Sequence, residues 1–463
     1  MANATQRSTQ SGEGMLYELD DRPPLSVTSF AALQWFIFAV VQLIVAPVAV
    51  GHALGLNQQG IADFVQRTFF FCGLFSLLQL VLGHRLPLFE GPAGMWWGVL
   101  ALLGSTSAAL GHSLPNLRMQ LEWGLFLTGI AVTVIGAFHL LRRLLWLFSP
   151  AVTGTFLVLL PVQMALIFLP AMLGIAGTST SIDSTTAFLS IGLVALVIGL
   201  SLFGPGPLKS FGTLIGLLVG WIVWSVFHAS DTVVENAAHG WIRLPQVFPW
   251  GMPQPNLSAT IACLLCGLLL FSNYVATMAA LEETIQRRFD TSTYDRGVTV
   301  TGIADMAAGA FGLIGFIPFT AGVAIIGLSR IASRLPFFIG MAVTLVLGLF
   351  PGISAFFGRL PVSVADAVLF ASFAQMMSSG FSLYRQLHWD LRQAFVVCLP
   401  LLFAIGLSGI PPKALEGLPV IAQYLLGTPL LFGVLLSLLM DHLFLPQRRR
   451  HSAPRAASLT EHR

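Results

Sequence analysis

What this 463-residue chain has little of is charge: 9% of its residues are Asp, Glu, Lys or Arg, while 56% are hydrophobic. Soluble proteins carry roughly 25% charged residues, so a water-soluble globular domain is excluded and an integral membrane protein is implied. Cysteine is also scarce. The four cysteines, Cys72, Cys263, Cys266 and Cys398, all fall in apolar runs, where a thiol reads as a small buried hydrophobe. Cys263 and Cys266 make a CxxC, but no second ligand pair accompanies them, so no metal is expected. A GxxxxGK[ST] phosphate loop is missing, which argues against ATP-driven chemistry. None of the ten histidines lies at the centre of an apolar run, where a polytopic membrane enzyme would need catalytic groups. The polar start MANATQRSTQSGEG lacks the charged-then-apolar layout of a cleaved leader, so the first membrane helix is expected to act as the signal. The net charge of +3 comes mostly from arginines flanking apolar runs and implies no nucleic-acid partner.

What is present is a succession of apolar runs from Leu33 to Leu445, several of the roughly 17–25 residues that cross a bilayer as helix. Pro, Gly and charge punctuate them into segments at about 30–50, 66–83, 93–110, 123–141, 150–174, 187–204 and 208–227, then, after a polar stretch, at about 259–281, 298–311, 313–329, 335–351, 362–380, 394–410 and 427–446. The reading is an all-α polytopic membrane protein of about fourteen spans. It divides into a cytoplasmic tail 1–29, a first seven-span repeat 30–227, an extracytoplasmic loop 228–258, a second repeat 259–446 and a cytoplasmic tail 447–463. With the N-terminus inside, eighteen of the 23 Lys and Arg residues fall on the inner side, the asymmetry that the positive-inside rule describes. Both termini are therefore expected in the cytoplasm, at the cell inner membrane.

Seven is odd, so a duplicated second half would be inserted upside down. VTGTFLVLLPVQM at Val152 and VADAVLFASFAQM at Val364 share residues in register, as do PAGMWWG at Pro92 and TAGVAIIG at Thr320. The stretch HRLPLFEGPAGMWWG from His84 thus has a counterpart, IGFIPFTAGVAIIG, in the other half. Gly/Pro-interrupted segments in corresponding places point to a transporter's binding site. Non-helical backbone survives at membrane depth only inside protein or around a watery cavity, and it has hydrogen-bonding groups to offer a polar solute held between the two segments.

At these residues the chain resembles the nucleobase/ascorbate transporter family, the uracil and xanthine permeases. YELDDRPPL precedes the first span; LQW at Leu33 resembles a Gln-His motif; FSPAVTGTFLVLLPVQM resembles the fifth-span pattern; GIADMAAGAFG places Asp305 on the ninth-span Asp; LSRIASR at Leu328 resembles the close of the tenth span. The resemblance implies two inverted seven-span repeats, a core and a gate domain, short non-helical strands in spans three and ten, and a nucleobase as substrate. Dimers are common in that family. Departures mark a divergent purine-permease branch, whose members also carry Glu-Gly-Pro and Trp-Trp in span three. Leu270 stands where the family has its eighth-span glutamate, Ala321 and Gly322 replace the tenth-span carboxylate or amide and Asn, and Trp35 replaces the motif's His.

The candidate substrate-binding residues are Glu90, Gly91, Ala93, Gly94 and Met95 in span three, Ser272 and Asn273 in span eight, and Thr320, Ala321 and Gly322 in span ten. Intramembrane acids are costly and so default functional candidates, which makes Glu90, Asp305 and Asp366 the coupling candidates. Glu90 could instead cap the next helix or pair with Arg85; Asp305 matches a structural family position; Asp366, near a helix start, could be a cap. Trp96 and Trp97 could stack on a planar ring, with at least one expected to be an interfacial anchor. The expected activity is secondary active uptake of a purine such as xanthine, uric acid or hypoxanthine, or of uracil, coupled to protons or else sodium and without a cofactor. Open alternatives are a related heterocycle such as allantoin or a hydantoin, an anion carrier of the same fold, and, further off, a polytopic enzyme.

Overall fold

A computed structural model describes residues 15–445, apart from 110, 145–146, 176–180, 205–211, 228–239, 416–417 and 419. Both outer tails and most of the polar stretch before Leu257 therefore lie outside the described residues. Helices α1 (Leu25–Ala53) and α2 (Gln58–Val81) lead to strand β1 (Glu90–Pro92), which runs into α3 (Gly94–Ala109). Then come α4 (Leu114–Ala137), the single turn α5 (Leu141–Leu144), α6 (Pro150–Met172), α7 (Ser184–Phe203) and α8 (Gly212–Phe227). The second half follows suit with α9 (Leu257–Ile285), α10 (Thr291–Ala310), strand β2 (Phe316–Pro318) and α11 (Thr320–Ser329). It ends with α12 (Arg334–Leu347), α13 (Pro351–Phe357), α14 (Val362–Tyr384), α15 (Leu391–Ser408), α16 (Val420–Gly427) and α17 (Pro429–Leu439).

Apolar runs become helices here because a helix pairs its own amides where no water can. Polar caps start many of them: Asn57 accepts from the Gly60 N–H, Ser113 from Asn116, Asn256 from Ala259 and Asp390 from Gln393, each supplying an acceptor that the first turn lacks. Every expected segment holds a helix, yet among the described residues eight helices are by themselves long and apolar enough to cross, or nine if α12 and α13, bent by 92°, count as one span. The shortfall has physical causes. The segments with β1 and β2 are part strand, which leaves α3 and α11 short. Helix α10 carries Thr293, Asp295, Thr299, Thr301 and Asp305; it tolerates them because it lies against α4 rather than lipid.

That contact is close because both helices present glycine. A methyl on Gly302 would come within 2.7 Å of the Thr133 Cα, and one on Gly309 within 2.7 Å of the Phe126 Cα. Helices α1–α4 and α9–α12 pack among themselves, α6–α8 with α14–α17, and the two bodies meet mainly where α1 touches α14 and α3 touches α6. Apolar side chains such as Phe188 (83% exposed) and Phe203 (84%) cover the outside, as lipid contact requires.

Several expected boundaries shift. The first helix begins at Leu25 rather than residue 30. The chain just before it is tied down: Leu16 N–H donates to the Arg330 carbonyl at 2.8 Å, Ala332 N–H to Tyr17 at 2.8 Å, and Asp20 pairs with Arg334. Cys398 is exposed on α15 rather than buried, unlike the other three cysteines. The acidic end of α9 is held in place: Glu282 is buried and accepts from Arg288 at 2.9 Å and from Phe289 N–H at 2.8 Å.

Candidate transport site

The two broken segments meet. Strands β1 and β2 pair antiparallel, Glu90 opposite Pro318, Gly91 opposite Ile317 and Pro92 opposite Phe316. The ladder extends through Phe319 N–H to the Phe89 carbonyl (2.9 Å) and Ala93 N–H to the Gly315 carbonyl (3.1 Å). The expectation of a solute held between the segments is therefore narrowed: the backbone groups of the two strands satisfy each other, which leaves room only between the helix starts that follow them. What the pairing does is fix the starts of α3 and α11. Helix α11 begins after Phe319 with no side-chain cap.

A cavity of about 450 Å³ opens at these helix starts, within the size range of small-molecule sites. Ala93, Gly94 and Trp97 line it from α3, Ile317 to Ala321 from β2 and α11, and Asn273 from α9. From the other body come Ser372, Phe373, Gln375 and Met376 of α14, while Gln42 of α1 lines the cavity from the body that holds α3 and α9. Trp97 packs on Phe373 at 4.7 Å between ring centroids, tilted by 55°. Gly94 fits closely there: a methyl on it would meet Met376 Cε at 3.1 Å, the end of a flexible side chain, and the Trp97 indole at 3.4 Å. Thr320 bridges Thr277 (2.6 Å) and Asn273 (3.4 Å). No charged side chain lines the cavity among the described residues.

Five of the ten expected binding residues, Ala93, Gly94, Asn273, Thr320 and Ala321, thus share one cavity. Gly91, Met95 and Gly322 do not line it; Gly91 is wedged between Phe89 and Phe319, and Gly322 against Trp35. The Ser272 side chain lies outside the described residues. Leu270, where the family's glutamate was sought, faces a separate void of about 10 Å³ beside Asp305 and Thr301, the room of one water. Asn273, almost a helical turn on, is the α9 residue that reaches the main cavity among the described residues.

Glu90 does not line the cavity either. It is fully buried on a different side of the ribbon, where Oε1 accepts from Gln79 Nε2 at 2.7 Å and from Thr301 Oγ1 at 3.0 Å. Its backbone N–H donates to Ser76 Oγ at 2.9 Å, and Oε2 has no partner among the described residues. Neither bland alternative fits: α3 begins four residues later, and Arg85 donates to the Val81 carbonyl instead. Asp305 accepts from the Phe316 N–H at 2.7 Å and so anchors the start of β2. Asp366 is buried inside α14, whose N-terminal flanking residue is Pro361, so it is not a cap. The expected interfacial anchor among the tryptophans is also corrected: Trp96 is fully buried and Trp97 nearly so.

Gln42, Gln375 and Met376 lie outside the expected set. Gln375 and Met376 close the FAQM stretch that parallels LPVQM in the first half, and an amide in an apolar run is the signal that points to them.

A family profile described as "Permease family" matches residues 26–413. The chain is 27% identical over 425 residues to a Bacillus subtilis protein named "Putative purine permease YwdJ", covering 90% of this chain and 96% of that one. It is 24% identical to "Uric acid permease PucK" of the same organism, covering 91% and 96%. Among solved structures it is similar to the transmembrane domain of a cyanobacterium bicarbonate transporter, BicA, with a TM-score of 0.59 over 91% of this chain and 98% of that one at 16% identity, a likeness of fold. The chain is a multi-pass membrane transporter, not an enzyme, and belongs to the permease family of the nucleobase/ascorbate transporters.

Proposed function

We propose that the protein takes up a nucleobase, a purine such as xanthine, uric acid or hypoxanthine, or else uracil, by secondary active symport with protons. The observation that carries this reading is the uncharged, amide-bearing cavity with Trp97 and Phe373 in its wall. Its shape and chemistry suit a planar polar ring, since aromatic faces stack on such rings and amides offer both donor and acceptor. Relatives named purine and uric acid permeases support the substrate class.

Proton coupling is assigned to Glu90. Its Oε1 is held by two donors while Oε2 is free, so it can take up a proton without losing a bond. Asp305, engaged with the Phe316 amide, serves mainly as a structural anchor. Fourteen crossings in two inverted repeats are supported by matched contacts: α4 packs on α10 as α12 packs on α2, and α1 on α12 as α9 on α4. On this reading the body holding both strands is the core, the body holding α14 is the gate, residues 1–29 and 447–463 are cytoplasmic tails at the inner membrane, and 228–258 is the outer loop. A homodimer is the proposed assembly.

The fold likeness to BicA makes an anion carrier the second reading. Uptake by proteoliposomes of labelled xanthine, uracil and allantoin, against bicarbonate and sulfate, separates them: the proposal expects heterocycles to enter and the anions to stay out. Entry of the anions alone would overturn it.

A further inference from the structure

Some polar side chains around the cavity already have partners. Ser372 and Ser379 donate to carbonyls one turn back in α14, each at 3.2 Å, and Thr320 is paired with Thr277. Three amides differ. The side chains of Gln42 and Gln375 make no hydrogen bond within the described protein, and Asn273 engages only its oxygen, with Thr320. Gln42 lies on α1 and Asn273 on α9, in one body, whereas Gln375 lies on α14, in the other. Two whole amides and an amide –NH₂ therefore face one cavity with free hydrogen-bonding groups, from both of its walls.

We infer that Gln42 and Gln375 are specificity-determining residues, reading lactam edges of a planar heterocycle from opposite walls. The inference rests on the nucleobase reading. A primary amide presents a donor beside an acceptor, which complements a ring C=O next to a ring N–H. A carboxylate in the same place would accept only, and would ask the ligand for N–H groups alone. The lining amides thus define a different ligand pattern from an acidic site: a carbonyl flanked by an N–H on each of two edges. Because the groups sit on different bodies, the pair of contacts is complete only when α14 faces α1 and α9 across the ligand. A site built to hydrogen-bond a ring N–H strongly rejects the analogue that lacks it, so alkylation at a read nitrogen should be disfavoured.

The test is equilibrium binding of labelled xanthine to the purified full-length protein in nanodiscs, competed by each mono-N-methylated xanthine. For Gln42→Leu and Gln375→Leu the expected result is about tenfold weaker xanthine binding, the loss of roughly one hydrogen bond. The ranking of the methylated competitors should also change, because the isomer blocked at the edge that each glutamine reads is no longer penalised relative to xanthine. That change of ranking is a readout that lost packing would not produce. Should a leucine variant fail to fold, Gln→Asn at the same site, which keeps the amide and shortens its reach, must shift the same ranking. Unchanged affinity and ranking in folded variants at both positions would overturn the inference alone. If the wild type binds neither xanthine nor labelled uracil, the nucleobase reading itself fails.

Discussion

Gln79 on α2 donates to Glu90 on β1 at 2.7 Å, joining a helix to the broken segment across a fully buried contact. The same –NH₂ group lies 2.9 Å from the Gly297 carbonyl and 3.0 Å from Thr301 Oγ1. One glutamine thus ties α2, β1 and α10 together, and places the acid beside the strand ribbon rather than in the main cavity.

Replacing Gln79 by Leu should leave the Glu90 carboxyl and the Gly297 carbonyl short of a donor. Unmade bonds of this kind cost about 1–3 kcal/mol. The expected outcome is a lowered unfolding temperature for Gln79→Leu in detergent, with Gln79→Glu also impaired because it sets an acid against Glu90. Unchanged stability in both variants would mean that the contact contributes nothing to the fold.

The α4–α10 packing makes a sharper structural prediction. No space exists at Gly302 or Gly309 for a side chain without moving the facing backbone. Gly302→Leu should destabilise by at least the roughly 1–3 kcal/mol typical of overpacking, read as a lower thermal midpoint or loss of monodisperse protein. Gly352→Ala, where nothing lies within 4 Å, should be tolerated.

Trp97 should matter through its ring. Base stacking on an aromatic side chain is worth about 1–3 kcal/mol, so Trp97→Ala should weaken xanthine binding by about 5–150-fold, while Trp97→Phe keeps a large part of the affinity. Calorimetry on the purified protein distinguishes the two. Equal affinity for wild type and Trp97→Ala would remove the ring from the site.

Much of this arrangement was legible in the sequence, and the illegible part has a clear cause. The Gly/Pro-interrupted stretches at Glu90 and Phe316 announced themselves because helix cannot continue through them, and a shared local pattern linked them. Ala93, Gly94, Thr320 and Ala321 followed, since they adjoin the breaks. Which way a side chain points is another matter. Glu90 and Ala93 are three residues apart, yet one meets Gln79 and Thr301 while the other lines the cavity, a difference set by how the ribbon packs on α2 and α10. Gln42 and Gln375 lie far from either break in sequence. Only the meeting of two bodies makes them neighbours of one cavity. The polar helix α10 was expected as a short apolar span and proved longer, because burial against α4 rather than hydropathy sustains it.

The proposed function puts substrate binding and proton coupling at two places, the cavity and Glu90. It is tested most directly by comparing wild type with Glu90→Gln in proteoliposomes, measuring labelled-xanthine uptake with and without an inward proton gradient, alongside exchange and equilibrium binding. Wild type should accumulate xanthine only with the gradient. Glu90→Gln, nearly isosteric, should lose gradient-driven accumulation while keeping exchange and binding. Accumulation by Glu90→Gln that still follows the gradient, or loss of binding in that variant while it remains folded, would contradict the claim.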